Sequence, residues 1–163
     1  MNSFIIPKQA ARLAVLQRIE LANPFLLKIR KLFGRYIFSN LVTKYFLNAN
    51  LIGKRYYETM LNEFLTLEKF IEQNHKSILS IGAGLGGLEI IINQKYNDKS
   101  FFFIERNYVS KKVKYGWDSS NNEAYNDLKV QKEFLTLNQM DQKKINIFDY
   151  DHDILPEFKF DLV

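Results

Sequence analysis

A glycine cluster between an apolar run and an amphipathic run constrains this chain more than any other feature. The segment SILSIGAGLGGLEII, residues 77–91, holds four glycines within six positions. Glycine permits a sharp backbone turn and lets a ligand approach closely, because it has no Cβ. A helix that begins at such a turn offers free N–H groups and positive dipole character to an anionic group. The segment therefore predicts a strand, a tight turn and a helix that together hold a ligand.

The glycines fit two spacings that imply different ligands. Gly82, Gly84 and Gly87 form GxGxxG, the fingerprint of dinucleotide-binding turns. Gly82, Gly84 and Gly86 form GxGxG, a spacing typical of turns that hold S-adenosylmethionine. The glycines alone leave both ligands open.

The spacing between the glycine cluster and an acidic residue, Glu105, gives a second constraint on the ligand. Glu105 ends the next apolar run, KSFFFIE, and stands 23 residues after Gly82. At this spacing a carboxylate at the end of the second strand can accept hydrogen bonds from both hydroxyls of a ribose. Glu105 therefore indicates an adenosine-type ligand without choosing between the two cofactors.

The order of elements predicts an α/β fold. Helical periodicity runs through the first third and through residues 56–73, with Asn23–Pro24 as one helix start and Gly34 as its end. Strands then alternate with helices, which favours a parallel sheet of about four strands with helices on both faces. The strands are predicted at 77–82, 99–105, 144–151 and from 160, and the helices at 86–96 and 122–138.

Composition excludes several kinds of site. The chain has no cysteine, so disulfides, cysteine ligands and cysteine nucleophiles are excluded. Its two histidines, His75 and His152, stand far apart, so we expect no metal site. No apolar run approaches the ~18 residues of a membrane span, and the start lacks a signal-peptide layout. We therefore expect a cytoplasmic protein.

Charge divides the chain into two regions. Residues 1–54 carry a net charge of +8 against +5 for the whole chain, so residues 55–163 carry −3. We expect a basic helical lid or interface at 1–54, followed by a ligand-binding domain at 55–163. An anionic membrane surface is the next interpretation of the basic segment, which would make the protein peripheral to a membrane. Nucleic acid comes last, because no recognition motif accompanies the charge. The basic residues are Lys8, Arg12, Arg18, Lys28, Arg30, Lys31, Arg35, Lys44 and Lys54.

Four blocks resemble the class I S-adenosylmethionine-dependent methyltransferase family. They are ILSIGAGLGG, FFFIERN, INIFDYDHDILPE and FKFDLV, in that order, and they cover about residues 77–163. The resemblance implies a Rossmann-like sheet, S-adenosyl-L-methionine as cofactor, and methyl transfer to a small-molecule or sugar hydroxyl. It also implies Asp151 as the acid on the adenine side, with Asp149 as the alternative if the third strand is shorter. The implied cofactor-binding residues are Ser80, Gly82, Ala83, Gly84, Gly86, Glu105, Arg106, Asp151 and His152.

A looser likeness narrows the family further. The segments RYYETM, KYGW and EAYNDL resemble a bacterial subgroup of sugar O-methyltransferases. This likeness implies that Tyr56 and Tyr57 reach the cofactor and that Tyr115 and Trp117 line the entrance. A place in the core or in a loop is the alternative for all four.

The chain departs from the family in two ways. Ser80 stands where the family commonly has an acid that helps hold the cofactor's amino group. The family fold has seven strands, whereas this chain ends as the fourth begins, so we expect a truncated sheet with an edge open to self-association. No catalytic base can be named. The remaining alternatives are a flavin or nicotinamide oxidoreductase and a non-catalytic, membrane-peripheral binding module.

Overall fold

The computed structural model describes residues 2–37, 43–45, 47–110 and 124–163, and gives an α/β fold. The helices are α1 (Lys8–Gln17), α2 (Pro24–Ile37), α3 (Thr43–Tyr45), α4 (Ala49–Leu67), α5 (Gly87–Lys95) and α6 (Leu128–Leu137). The strands are β1 (Ser77–Ile81), β2 (Ser100–Glu105) and β3 (Ile145–Asp149). Short 3-10 turns lie at Ile19–Leu21, Glu68–Phe70 and Gln142–Lys144.

The sheet is parallel, and β2 lies between β1 and β3. Ile78 pairs with Phe101 and Phe101 with Ile145, while Glu105 pairs with Asp149 at the far end. The carboxyl ends of all three strands therefore open at the same edge. The glycine turn that follows β1 lies at this edge, where the Gly82 N–H donates to the Ile104 carbonyl of β2 at 3.0 Å.

Helices cover one face of the sheet in the described residues, whereas the sequence led us to expect both. Phe101 and Phe103 on the helix side are fully buried. On the opposite face the ring of Phe102 contacts those of Phe158 and Phe160, each at 5.1 Å between centroids. Because β1, β2 and β3 follow one another in one direction across the sheet, right-handed crossovers place both connecting helices on the same side.

The predicted fourth strand is represented by a single bridge, so the sheet has three strands rather than about four. Leu162 pairs with Ile78 in parallel, and the Leu79 N–H donates to the Leu162 carbonyl at 2.9 Å. The bridge uses the edge of β1 that β2 leaves free. The carboxylate of Asp161 fastens this segment by accepting both the N–H and the hydroxyl of Ser77, at 2.8 and 2.9 Å.

Two predicted ends of α2 have different outcomes. The Asn23 side chain accepts the Leu26 N–H at 2.7 Å and Pro24 is the first helical residue, as predicted. The predicted stop at Gly34 is wrong, because the helix continues to Ile37. Glycine in a helix costs only about 1 kcal/mol, so neighbouring residues can carry the helix through it.

Within the described residues, no helix has the length and apolar character needed to cross a membrane.

The N-terminal segment packs into the same buried cluster as the sheet. The ring of Phe4 makes edge contacts with Tyr56 and Phe134, at 5.3 and 5.4 Å between centroids. Residue 54, where the charge pattern changes, lies inside α4. The N-terminal residues thus share a core with α4 and α6.

Replacing Phe4 by alanine is expected to lower the free energy of unfolding of the whole chain by about 3–4 kcal/mol, because a buried aromatic ring leaves a cavity among three elements. Ile5→Ala is the matched control, since Ile5 is 52% exposed and should cost less than about 1 kcal/mol. Urea denaturation followed by circular dichroism measures both. An unchanged transition for Phe4→Ala would contradict the shared core.

Candidate functional site

Three glycines of the turn after β1 have left-handed backbone. The φ angles of Gly82, Gly84 and Gly86 are 70°, 66° and 79°, a region that side chains with a Cβ rarely occupy. Gly87 has no such angle and is the first residue of α5. The conformation therefore separates Gly82, Gly84 and Gly86, the glycines of the GxGxG spacing, from Gly87.

The glycines also differ in what surrounds them. A Cβ on Gly82 would meet no atom within 4 Å, so this position faces open space. A Cβ on Gly86 would lie 2.9 Å from Leu135 and 3.0 Å from the ring of Phe103. A Cβ on Gly87 would lie 2.7 Å from the ring of Tyr56. Gly86 and Gly87 thus permit close packing, and Gly82 leaves room on the side of the turn away from the core.

Glu105 is tied to the turn by a hydrogen bond. Its carboxylate accepts the Gly84 N–H at 2.7 Å, and the residue is 6% exposed. Burial raises the pKa of Glu105 to about 7, against the lowering effect of the Gly84 N–H, and the charge of nearby Glu89 adds to the rise. Glu105 therefore lies beside the glycines and is partly protonated near neutral pH.

A cavity of about 350 Å³ lies at this edge of the sheet. Four predicted site residues line it, namely Gly82, Gly84, Glu105 and Arg106. The other lining residues were not predicted from the sequence: Gln17, Ile81, Ile104, Ala124, Tyr125, Asn126 and Tyr150.

Two amides missed by sequence reasoning build one wall of the cavity. Gln17 Nε2, at the end of α1, donates to the Tyr125 carbonyl at 2.7 Å. Asn126 Nδ2 donates to the Gly84 carbonyl at 3.1 Å and to Gln131 Oε1 at 3.0 Å. These bonds join the N-terminal helices, the glycine turn and the segment before α6. No local pattern marks them, because the partners lie far apart in the sequence.

A buried acid, Glu89, lies beside Ser80, where the sequence indicated only a hydroxyl group. The Ser80 hydroxyl donates to Glu89 Oε1 at 2.6 Å, and Glu89 is 4% exposed in the first turn of α5. Burial raises the pKa of Glu89, while the Ser80 hydrogen bond opposes the rise. Its second oxygen, Oε2, has no hydrogen-bond partner among the described residues. The structure thus adds a carboxyl group next to Ser80.

The acids after β3 form a closed turn outside the cavity wall. The strand ends at Asp149, the shorter of the two expected limits, and the Asp149 carboxylate accepts the Asp151 N–H at 3.1 Å and contacts His152 Nδ1 at 3.0 Å. Asp151 and His152 are exposed and do not line the cavity. Asp151 is connected to the cavity by an ion pair with Arg106, a lining residue whose Nε lies 3.5 Å from the Asp151 carboxylate.

Arg106 and Tyr150 form the end of the cavity next to β3. The Arg106 guanidinium lies 5.3 Å from the centroid of the Tyr150 ring, within the range of a cation–π contact. Both residues line the cavity, so a flat ring of a ligand can pack beside them.

The tyrosines of the looser likeness have a different place. Tyr56 is fully buried, and its hydroxyl accepts the Gly87 N–H at 3.2 Å, so it touches the turn from the core side. Tyr57 packs against Phe4 at 5.3 Å between ring centroids. Tyr115 and Trp117 lie outside the described residues. Ala83 belongs to the turn but does not line the cavity.

No protein-family model, curated protein or solved structure matches this chain. The identity of a ligand therefore depends on the chemistry of the turn, the acid and the cavity.

The raised pKa of Glu105 predicts a pH window in stability. The pKa of Glu105 is about 7 in the folded protein, against an ordinary value of 4.5. The free energy of unfolding of the wild type, measured relative to that of Glu105→Gln, should therefore be highest below about pH 4.5 and should fall as the pH rises to about 7. The loss is at most ~3 kcal/mol. Urea denaturation of both proteins across this range measures it, with Glu133→Gln, an exposed acid on α6, as control. A wild-type-to-Gln difference that stays constant from pH 4.5 to 7 would count against a buried, ionisable Glu105.

Proposed function

We propose that this chain contains the cofactor-binding part of an S-adenosylmethionine-dependent methyltransferase that acts on a small-molecule or sugar hydroxyl. One observation carries the proposal. Three left-handed glycines after β1 are hydrogen-bonded, through Gly84, to the acid that ends β2, and a cavity opens beside them.

The residues present fit an adenosine and its ribose. The open side of Gly82 lets a ligand approach the backbone. Glu105 Oε1 accepts the Gly84 N–H, and the Asn126 side chain and the Ala83 N–H also bond to the carboxylate. A carboxylate has about four lone-pair sites, so it has capacity for a further donor such as a ribose hydroxyl. The cavity of about 350 Å³ falls within the size range of small-molecule sites.

The position of the cavity in the sheet supports the same conclusion. In open α/β sheets, ligands bind outside the carboxyl ends of the strands, where the chain turns to either side of the first strand. Here β2 pairs with one edge of β1 and Leu162 with the other. The glycine turn lies at the end of β1, between those two neighbours.

Two contacts favour S-adenosylmethionine over a dinucleotide. A diphosphate needs the free N–H groups of the turn and the helix start. The Gly84 N–H instead donates to Glu105, and the Gly87 N–H donates to Tyr56. Glu105 lines the cavity and is partly ionised near neutral pH, so it favours a ligand that carries positive charge.

The chain's own residues would bind and orient the reactants. When bound, S-adenosylmethionine supplies an electrophilic methyl group on a sulfonium. Glu105 and the turn hold the ribose, Arg106 and Tyr150 flank the ring, and Gln17 and Asn126 fix the wall. Such positioning is a large part of the rate enhancement when two molecules must react.

Calorimetry with S-adenosylmethionine and with its demethylated product tests the proposal. We expect both to bind, and Glu105→Gln to weaken binding by at least about tenfold, since hydrogen bonds to charged groups contribute about 1.5–3 kcal/mol. Gly82→Ala should weaken binding as well, because its methyl group would occupy the open side of the turn. Glu133→Gln on α6 is the control and should bind like the wild type.

Other cofactors give distinguishable results. A purified protein with the yellow absorbance of flavin, or one that binds a nicotinamide dinucleotide and gives no heat with S-adenosylmethionine, would show that the cofactor is wrong. Binding of S-adenosylmethionine that Glu105→Gln leaves unchanged would show that the site is wrong.

A further inference from the structure

The outward side of α2 exposes large apolar side chains. Phe25 is 68% exposed and Leu32 is 78% exposed. They stand seven residues apart, two helical turns, and so share a face. Leu26, on another side of the helix, is 4% exposed and anchors α2 to the core. The exposed pair therefore belongs to a helix that is already packed, and it is not the core side of that helix.

Cations accompany this apolar pair. Lys28 lies between Phe25 and Leu32 on the same side, and Lys31 lies next to Leu32; both lysines are exposed. α2 contains no acid, and no residue of α2 takes part in an ion pair among the described residues. We call Phe25, Lys28, Lys31 and Leu32 the α2 surface. It combines apolar side chains with positive charge that forms no ion pair within the part of the chain that the structure describes.

We propose that the α2 surface docks on an anionic lipid bilayer. Helices with cations beside Phe and Leu lie in the plane of a membrane interface, where the apolar side chains enter the acyl boundary and the cations meet anionic headgroups. The charge of the segment is complementary to such a surface, since residues 1–54 carry +8. Nucleic acid would use the lysines but would leave Phe25 and Leu32 in water, so it explains half of the surface.

Sedimentation of the full chain with vesicles tests this proposal. We expect binding to phosphatidylcholine vesicles that contain phosphatidylglycerol, weaker binding to phosphatidylcholine alone, and release at high salt. Lys28→Gln with Lys31→Gln should weaken binding by about fivefold for each cation removed. Phe25→Ser with Leu32→Ser should weaken it by about tenfold or more.

Matched double variants elsewhere on the surface serve as controls. Leu65→Ser with Phe70→Ser removes side chains that are 60% and 58% exposed, and Lys129→Gln with Lys132→Gln removes two exposed cations on α6. Both controls should bind vesicles like the wild type. Circular dichroism of each variant establishes that it is folded before binding is compared.

Three outcomes would overturn the proposal. They are a wild-type chain that stays in the supernatant with anionic vesicles, control variants that lose as much binding as the α2 variants, and α2 variants that bind like the wild type. Retention of an RNA or DNA duplex that depends on Lys28 and Lys31, without vesicle binding, would assign the surface to nucleic acid instead. None of these results depends on whether S-adenosylmethionine binds.

Discussion

The buried hydroxyl of Tyr56 connects the parts of this fold. It accepts the N–H of Gly87 at 3.2 Å, while its ring stacks on Phe134 and meets the edge of Phe4. Burial raises the pKa of Tyr56, so the hydroxyl stays neutral at any ordinary pH. The contact requires glycine at 87, because a Cβ would lie 2.7 Å from the ring. One side chain thus fixes α4 against the start of α5, next to the three left-handed glycines, of which Gly82 faces open space.

Two buried carboxyl groups flank the same turn and give it its electrostatic character. Glu105 bonds to the Gly84 N–H on the cavity side, and Glu89 bonds to the Ser80 hydroxyl behind the turn. Burial raises the pKa of both, and the charge of Glu89 adds to the rise at Glu105. Such groups reduce folding stability unless something compensates, and strongly shifted carboxyls in a cavity are typical of functional sites. A cationic ligand beside Glu105 would favour the ionised form and offset part of that cost.

Local patterns predicted the parts of the fold that are determined locally. Signals that act over a few residues can be recognised in the sequence. They include the glycine spacing, the apolar periods of β1, β2 and β3, and the Asn23 cap. The start of α6 was placed six residues too early, because the Asp127 side chain caps the helix by accepting the N–H groups of Lys129 and Val130. Contacts such as Gln17 with Tyr125, 108 residues apart, depend on the packed fold and have no local signature. The carboxyl beside Ser80 was missed for the same reason, since Glu89 reaches it only when α5 folds back onto β1.

The connection between the cavity and the α2 surface is short and well packed, and this determines what docking could do. Gln17, in the cavity wall, ends α1, and α2 begins at Pro24. Between them, Arg18 bonds to both carboxylate oxygens of Glu63 at 2.6 and 3.1 Å, and Leu21 is 1% exposed. A short, packed link of this kind transmits orientation and resists deformation. Docking through α2 would therefore set the direction in which the cavity faces relative to the bilayer and would leave the glycine turn unchanged. Membrane attachment would then determine which methyl acceptors can reach the cavity.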